Sequence, residues 1–131
     1  MKITRACDYA MRALIYMADK PSGTIFMRSD LSRLSQVPDS FLGKILQGLV
    51  KANILVSVRG KKGGFRFEKK SADVSMFDVI NAVEGDLRIT ECLSNTDFCG
   101  QTTSCNLHRM WRLIQDTLTS RLKQTTLKDL M

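Results

Sequence analysis

Three cysteines and the chain's only histidine fall within seventeen residues: Cys92, Cys99 and Cys105 are spaced C-x6-C-x5-C, and His108 follows as C-x2-H. Thiolates and imidazole are the ligands of zinc and of iron–sulfur centres, and four of them this close in sequence can converge on one metal site. The intervening Leu93 to Ser104 is polar and contains Gly100, so it can bend around a ligand. Cys105 and His108 lie three apart at the start of a helical pattern and therefore share a face, where a thiolate is favoured by the helix dipole. Structural zinc fits less well, because zinc sites usually pair cysteines two to four residues apart and these gaps are five and six. A thiol–disulfide sensor would need only two of the cysteines, and coincidental clustering is the remaining reading. The spacing thus favours a metal site without naming the metal. The fourth cysteine, Cys7, lies on the apolar face of the first helical pattern and reads as a small buried residue.

These residues must be held by a chain of 131 residues, enough for one domain, or one domain plus an oligomerisation element. It is 44% hydrophobic and 25% charged, a balance that supports a core. Twenty Lys and Arg against thirteen Asp and Glu give a net charge of +7, which biases the chain toward polyanionic partners. Met1 to Arg5 leads straight into an amphipathic pattern with no apolar h-region, and no stretch has the roughly 20 apolar residues of a membrane span. The expectation is a cytoplasmic protein with no membrane partner, whose clustered thiols stay reduced. No Gly-rich nucleotide loop, acid–base pair around a nucleophile, or C-x-x-C motif is present, so an enzyme is not expected.

Hydrophobic periodicity predicts a first helix from about Thr4 to Asp19, with Cys7, Ala10, Met11, Leu14, Ile15 and Ala18 on its apolar face. Pro21-Ser22-Gly23 breaks it. A short second helix is predicted after Ser29 as N-cap, with Leu31 and Leu34 inward. After the turn Ser35-Gln36-Val37, a third helix begins at Pro38 and buries Leu42, Ile45, Leu46 and Leu49. Ile54 to Val58 and Phe65 to Phe67 read as paired strands around the glycine-rich tip 59–64. A helix from about Met76 to Glu84 ends at Gly85, a loop spans about Cys92 to Ser104, and a last long helix runs from near Cys105 to about Gln124. The order is that of a winged helix-turn-helix. The expected fold is therefore mainly α with a small β-hairpin wing, a winged helix-turn-helix domain followed by a long C-terminal dimerisation helix. Residues 1–85 form the DNA-binding domain with its wing at about 54–68, residues 86–105 the cysteine loop, and residues 106–131 the dimerisation helix and tail. Leu107, Trp111, Ile114, Leu118 and Leu122 step by four, three, four and four, a seam suited to pairing with a second helix.

The third helix carries Asp39, Ser40, Lys44, Gln47 and Lys51 on its polar face, groups suited to base edges and phosphates in a major groove. By itself such a face is equally a solvated one. The hairpin shifts the balance, because residues 59–70 carry Arg59, Lys61, Lys62, Arg66, Lys69 and Lys70 against the single acid Glu68. Charge of this density on a thin projection suits a wing laid along a phosphate backbone, with an arginine able to enter the minor groove. The candidate contacts with double-stranded DNA are Arg28, Ser40, Lys44, Gln47, Arg59, Lys61 and Lys62.

Taken together the chain resembles the IscR, NsrR and RirA family of bacterial winged-helix regulators. The residues that carry this run along the whole chain: Ile3-Thr4 and Asp8-Tyr9-Ala10, Ser40-Phe41-Leu42, Val58-Arg59-Gly60 with Gly63-Gly64-Phe65, Val79 to Glu84, the cysteine triplet, Trp111, and Thr126 to Leu130. The resemblance implies a homodimer on a pseudo-palindromic operator, each subunit holding one iron–sulfur cluster. It implies a regulator, most simply a repressor, that senses iron or cluster supply, oxidative stress or nitric oxide. The family's wing arginine matches Arg59, its recognition-helix serine matches Ser40, and its three cysteine ligands match Cys92, Cys99 and Cys105. For the fourth ligand, His108 matches the histidine of IscR and a [2Fe–2S] site. Asp8 matches the aspartate by which NsrR-like proteins complete a [4Fe–4S] cluster across the dimer, although it can equally pair with Arg12 at i+4. His108, and with it [2Fe–2S], is preferred because its chelate with Cys105 needs no partner chain. Lys61 and Lys62 stand where the IscR-like wing usually has a proline and a further glycine, and Gly43-Lys44 where the recognition helix has an acid and a glutamine. The operator sequence of IscR is therefore not carried over. The alternative function is a thiol-redox or zinc-stabilised regulator without an iron–sulfur cluster.

Overall fold

A computed structural model describes residues 2–100 and 103–131. Helix α1 (Arg5–Ala18) is started by Thr4, which has an extended backbone and whose hydroxyl accepts the Cys7 amide at 3.3 Å. Its buried strip is Cys7, Ala10, Ala13, Leu14 and Met17. That strip is rotated from the predicted face: Ala13 and Met17 go inside, while Met11, Ile15 and Ala18 are only half-buried. The small Ala10 and Ala13 let α1 lie close against three neighbours at once, α2 (Arg28–Ser35), α3 (Asp39–Lys51) and α4 (Met76–Glu84).

Helix α2 differs from expectation at both its start and its face. It begins at Arg28 with Met27 as a cap that offers no side-chain bond, so Ser29 lies inside the helix. The reason is that the preceding residue is already fixed: Phe26 exchanges two backbone hydrogen bonds of 2.8 Å with Phe65. Leu31 is buried as predicted, but Leu34 is exposed and Ser35 is buried in its place, its hydroxyl donating to the Leu31 carbonyl. Gln36 closes α2 in the left-handed conformation (φ 58°) and Val37 drops into the core. Pro38 caps α3 rather than opening it: its carbonyl accepts from Phe41 and Leu42 at 3.0 and 3.1 Å, and the helix starts at Asp39. Leu42, Ile45, Leu46 and Leu49 are buried, as their spacing predicted. Each such leucine contributes about 1.5–3 kcal/mol by leaving water.

The wing is an antiparallel hairpin of β1 (Leu55–Val58) and β2 (Gly64–Phe67), in the register Leu55↔Phe67 to Val58↔Gly64. It is anchored by the Phe26–Phe65 bridge, one pair from the turn, which ties the hairpin to the chain entering α2. Two glycines make this possible. A Cβ on Gly64 would lie 2.2 Å from the Phe26 carbonyl oxygen, and one on Gly63 would lie 2.2 Å from that of Val58.

Helix α4 opens with a full capping box between Ser75 and Asp78 and ends at Gly85, as expected. The segment predicted as a loop contains a single turn, α5 (Glu91–Ser94), and a 3-10 turn, Thr96–Phe98. Helix α6 (Asn106–Gln124) then crosses back over α4. After it the chain returns to the core: Met76 donates to the Thr125 carbonyl (2.8 Å), Leu127 donates to Val74 (2.9 Å), and the Leu127 side chain is fully buried. Among the described residues no helix is long and apolar enough to cross a membrane.

The predicted α6 seam divides in two. Leu118 and Leu122 pack against Cys7, Ile80 and Leu87 in a second apolar cluster. Leu107, Trp111 and Ile114 are exposed, together with Met110 and Leu113. The C-terminal half of the helix is thus used within the chain, and the N-terminal half presents apolar surface outward. The close approach at Gly64 makes a direct prediction. Gly64→Ala forces the hairpin off the α2 entry and should cost about 1–3 kcal/mol, read as a lowered denaturation midpoint with unchanged helix content. An unchanged midpoint would mean that the Phe26–Phe65 bridge does not hold the wing.

Candidate DNA-reading surface and cysteine centre

On α3 the side chains of Ser40, Lys44, Gln47 and Lys51 are exposed along one face, opposite the buried leucines. At the hairpin tip Arg59, Lys61 and Lys62 are exposed, with Gly60 at φ 114° making the turn. None of the ion pairs among the described residues involves Lys44, Arg59, Lys61 or Lys62, so their charge is available to a phosphate. Arg28 is different. Its guanidinium grips the Asp39 carboxylate with two bonds, Nε at 3.0 Å and Nη2 at 2.8 Å. The hydrogen bond and then the charge of Arg28 hold the Asp39 carboxyl below its ordinary range. Arg28 thereby links the start of α2 to the start of α3, across the turn between them. Gly43 belongs to this arrangement: a Cβ there would meet Arg28 Nη1 at 3.0 Å, so the residue that weakens helix propensity also makes room for the guanidinium.

At the start of α6 one pair of the four candidate ligands is in side-chain contact, Cys92 with His108, and Cys105 caps the same helix end. Cys105 is the N-cap of that helix, and its sulfur accepts the His108 backbone amide at 3.4 Å. The His108 ring turns toward the loop, placing Nδ1 3.3 Å from Cys92 Sγ. The Thr90 hydroxyl lies 3.8 Å from the same sulfur. All three residues are half-buried. Cys99, just after the 3-10 turn, is also half-buried, and among the described residues no set of three or more His, Cys, Asp or Glu donors is assembled there. The donors present are sulfur and imidazole nitrogen. That chemistry suits a thiolate-bound metal and not an oxygen-bound one.

Asp8 is exposed on α1 and pairs with Arg12 at 3.1 Å. Cys7, one residue before it, is fully buried in the second apolar cluster. Burial, with smaller contributions from Glu84 and Asp8, pushes its thiol up to about 11. Cys7 is thus a packing residue, as the sequence suggested.

Two features escaped the sequence reading. Thr90 carries no motif. Gln115 lies beside the α6 seam, one residue after Ile114 and three before Leu118, and it is the one buried residue of that helix. A polar residue beside the seam was the available signal.

Residues 3–131 match the family model described as Rrf2, iron-dependent transcriptional regulator. The chain belongs to the Rrf2 family. It is a DNA-binding transcription regulator and not an enzyme. A protein of Mycobacterium tuberculosis described as an HTH-type transcriptional regulator is 30% identical over 131 residues, covering 98% of this chain and 80% of that one. Among solved structures, the oxidised form of Staphylococcus aureus CymR is 25% identical with a TM-score of 0.75, covering 99% of this chain and 95% of that one. IscR of T. potens shares the fold at 19% identity and a TM-score of 0.72, covering 99% and 85%. Rrf2 regulators are typically dimers, which is in keeping with the exposed apolar half of α6.

The contrast between Cys7 and the loop cysteines is testable. In the folded, metal-free protein, iodoacetamide at pH 8 should modify Cys92, Cys99 and Cys105 and leave Cys7 intact, as read by peptide mass spectrometry. Because the Cys7 thiol is raised from 9.0 to about 11, its contribution to stability is present below pH 9 and is lost as the pH rises toward 11. Cys7→Ala should flatten that part of the stability–pH curve. An identical alkaline slope in the two proteins would remove Cys7 from the account.

Proposed function

We propose that this Rrf2 regulator is a cytoplasmic homodimeric repressor of a pseudo-palindromic operator, controlled by an iron–sulfur cluster held by Cys92, Cys99, Cys105 and His108. The observation that carries the reading is the convergence of the His108 ring, 3.3 Å from Cys92 Sγ, with the Cys105 cap at the same helix end. Non-thiolate ligation by His108 favours a [2Fe–2S] cluster. Asp8 of the partner subunit is the alternative fourth ligand and would favour [4Fe–4S]. When bound, the cluster supplies a centre sensitive to oxidant, nitric oxide or iron supply. The chain's own residues do the rest. Cys92 belongs to the loop and Cys105 and His108 to α6, so ligation by both fixes one segment against the other. Further along α6, Leu118 and Leu122 rest on Cys7 of α1 and Ile80 of α4. A shift at the loop is therefore passed to the helices that orient α3, and in a dimer to the spacing of two reading heads.

DNA contacts are assigned to Ser40, Lys44 and Gln47 in the major groove and to Arg59, Lys61 and Lys62 along the phosphates. Arg28 is assigned to holding the α3 N-terminus through Asp39, with the three N–H donors that Asp39 does not use offered to a DNA phosphate. The dimer contact is assigned to Leu107, Met110, Trp111, Leu113 and Ile114.

A second reading has a specific observation behind it. The same Cys92–His108 contact would support a reactive thiolate, and the CymR relative of known structure was solved in an oxidised form. Anaerobic purification decides between the two. Iron and sulfide in stoichiometric amounts with visible absorption support the cluster; a colourless protein that takes up no iron on reconstitution and responds to peroxide supports the thiol switch, and stoichiometric zinc the zinc-stabilised form. With the cluster in place, His108→Ala should change the spectrum and Asp8→Ala should not. The reverse result moves the fourth ligand to Asp8.

Two further outcomes are expected. Arg59→Ala should weaken operator binding and lower the salt slope by about one, the loss of one phosphate contact. An unchanged affinity and slope would remove Arg59 from the interface. Ile114→Glu should shift the dimer to monomer in sedimentation velocity while leaving the circular dichroism of the fold unchanged.

A further inference from the structure

The segment that leads into the cysteine loop is hydrogen-bonded to α6 through one side-chain amide. Gln115 is 7% exposed, and its amide makes three hydrogen bonds. Its Oε1 accepts from the Ile89 backbone N–H at 2.9 Å, while Nε2 donates to the Leu87 carbonyl at 2.9 Å and to the Thr119 hydroxyl at 3.1 Å. Two of these bonds join chain segments more than 25 residues apart, which local helix geometry does not require. A buried amide used on both its donor and acceptor sides is costly to disturb, because either half left unpaired keeps its desolvation penalty.

The position of the clip matters more than its strength. Ile89 lies three residues before Cys92, and Gln115 lies seven residues, two turns, after His108. The amide therefore fixes the offset between the two segments whose ends bring Cys92 to His108. Leu87, whose carbonyl it holds, is itself packed with Cys7 and Ile80 and meets Leu118 and Leu122 of α6. The loop entrance is thus held both by an apolar contact, which tolerates sliding, and by a directional polar one, which does not.

We infer that Gln115 is a positioning residue for the thiol–imidazole centre: by clamping Leu87 and Ile89 to α6, it holds Cys92 in register with His108 and Cys105. The metal part of its test rests on the cluster reading above, and the thiol part does not.

The experiment uses the full-length protein in metal-free form. Gln115→Leu keeps the bulk and removes all three bonds. Thr119→Ala removes only the bond within α6 and serves as the control. Cobalt(II) alone is the metal probe, read by its thiolate-to-cobalt charge-transfer absorption. Gln115→Leu should bind cobalt about tenfold more weakly, the scale typical of residues that orient a ligand, whereas Thr119→Ala should match the parent. The metal-free readout is a double-mutant cycle on the rate of Cys92 alkylation. In the parent, His108→Ala should change that rate by about twofold or more; in the Gln115→Leu background it should change nothing, because the two groups are no longer held together. If Gln115→Leu does not fold, Gln115→Glu keeps the length and the acceptor while losing the donation to Leu87, and the same loss of coupling is expected. Undiminished Cys92–His108 coupling in the variants, or no such coupling in the parent, overturns the inference. A parent protein that binds neither cobalt nor iron overturns the metal reading alone, and the alkylation cycle still decides the role of Gln115.

Discussion

Helix α1 carries a strip of buried surface that both apolar clusters share, and the placing of every functional residue follows from it. Ala10, Ala13, Leu14 and Met17 belong to the main core with the α3 leucines, while Cys7, at the N-terminal end of the strip, belongs to the cluster with Ile80, Leu87, Leu118 and Leu122. Fully buried side chains tolerate little displacement, because a close-packed interior converts small shifts into lost contacts. Anything that moves α6 relative to Cys7 is therefore felt along the helix that α3 packs against. This is also why a cysteine is suitable at position 7: it is small, apolar in its protonated form, and held in that form by its surroundings.

The charges are divided in a complementary way. Where the fold needs orientation, opposite charges are paired: Arg28 with Asp39 across the helix-turn-helix, Arg12 with Asp8 on α1. Where a polyanion is to be met, the cations at the hairpin tip and on α3 are left without protein partners among the described residues. Exposed pairs contribute little stability, so the value of the Arg28–Asp39 fork is geometric. Its two-point contact fixes the angle at which α3 leaves the turn, a degree of freedom that a single lysine contact would leave open.

How much of this was legible in the sequence depended on the range of the interaction. The α3 stripe, the α4 span with its stop at Gly85 and the glycine hairpin are readable because period, helix-end and turn chemistry are local. The α2 start is not, because it is set by Phe65, nearly forty residues away, through the Phe26 bridge. The face of α1 was misplaced by the same cause: with three helices packed around it, Ala13 and Met17 are enclosed, and no two-sided amphipathic pattern encodes that. In the cysteine loop, the three-residue spacing puts Cys105 at the cap of the helix that carries His108, while the ring of His108 meets Cys92, a contact that depends on the loop folding back on α6. The α6 seam was read as one surface because period alone cannot say which neighbour each half meets. The role of Gln115 is hidden for the complementary reason, since a polar residue beside the seam announces a buried partner only once Leu87 and Ile89 are seen next to it.

The division of α6 bears on how a signal at its N-terminus reaches DNA. The apolar contact of Leu118 and Leu122 is non-directional, so by itself it would let the helix slide while the hydrophobic area stayed nearly constant. The Gln115 bonds remove that freedom, because hydrogen bonds weaken steeply away from their preferred length and angle. With sliding blocked near the middle of the helix, a change at Cys105 and His108 would act on a lever with a fixed point close to Leu87, the exposed half of α6 on one side of that point and the half seated on Cys7 and Ile80 on the other. Cluster ligation and thiol oxidation would both act on the same lever, since both change what holds Cys92 to His108. The two readings therefore differ in the chemistry of the input and share the physical path that follows it.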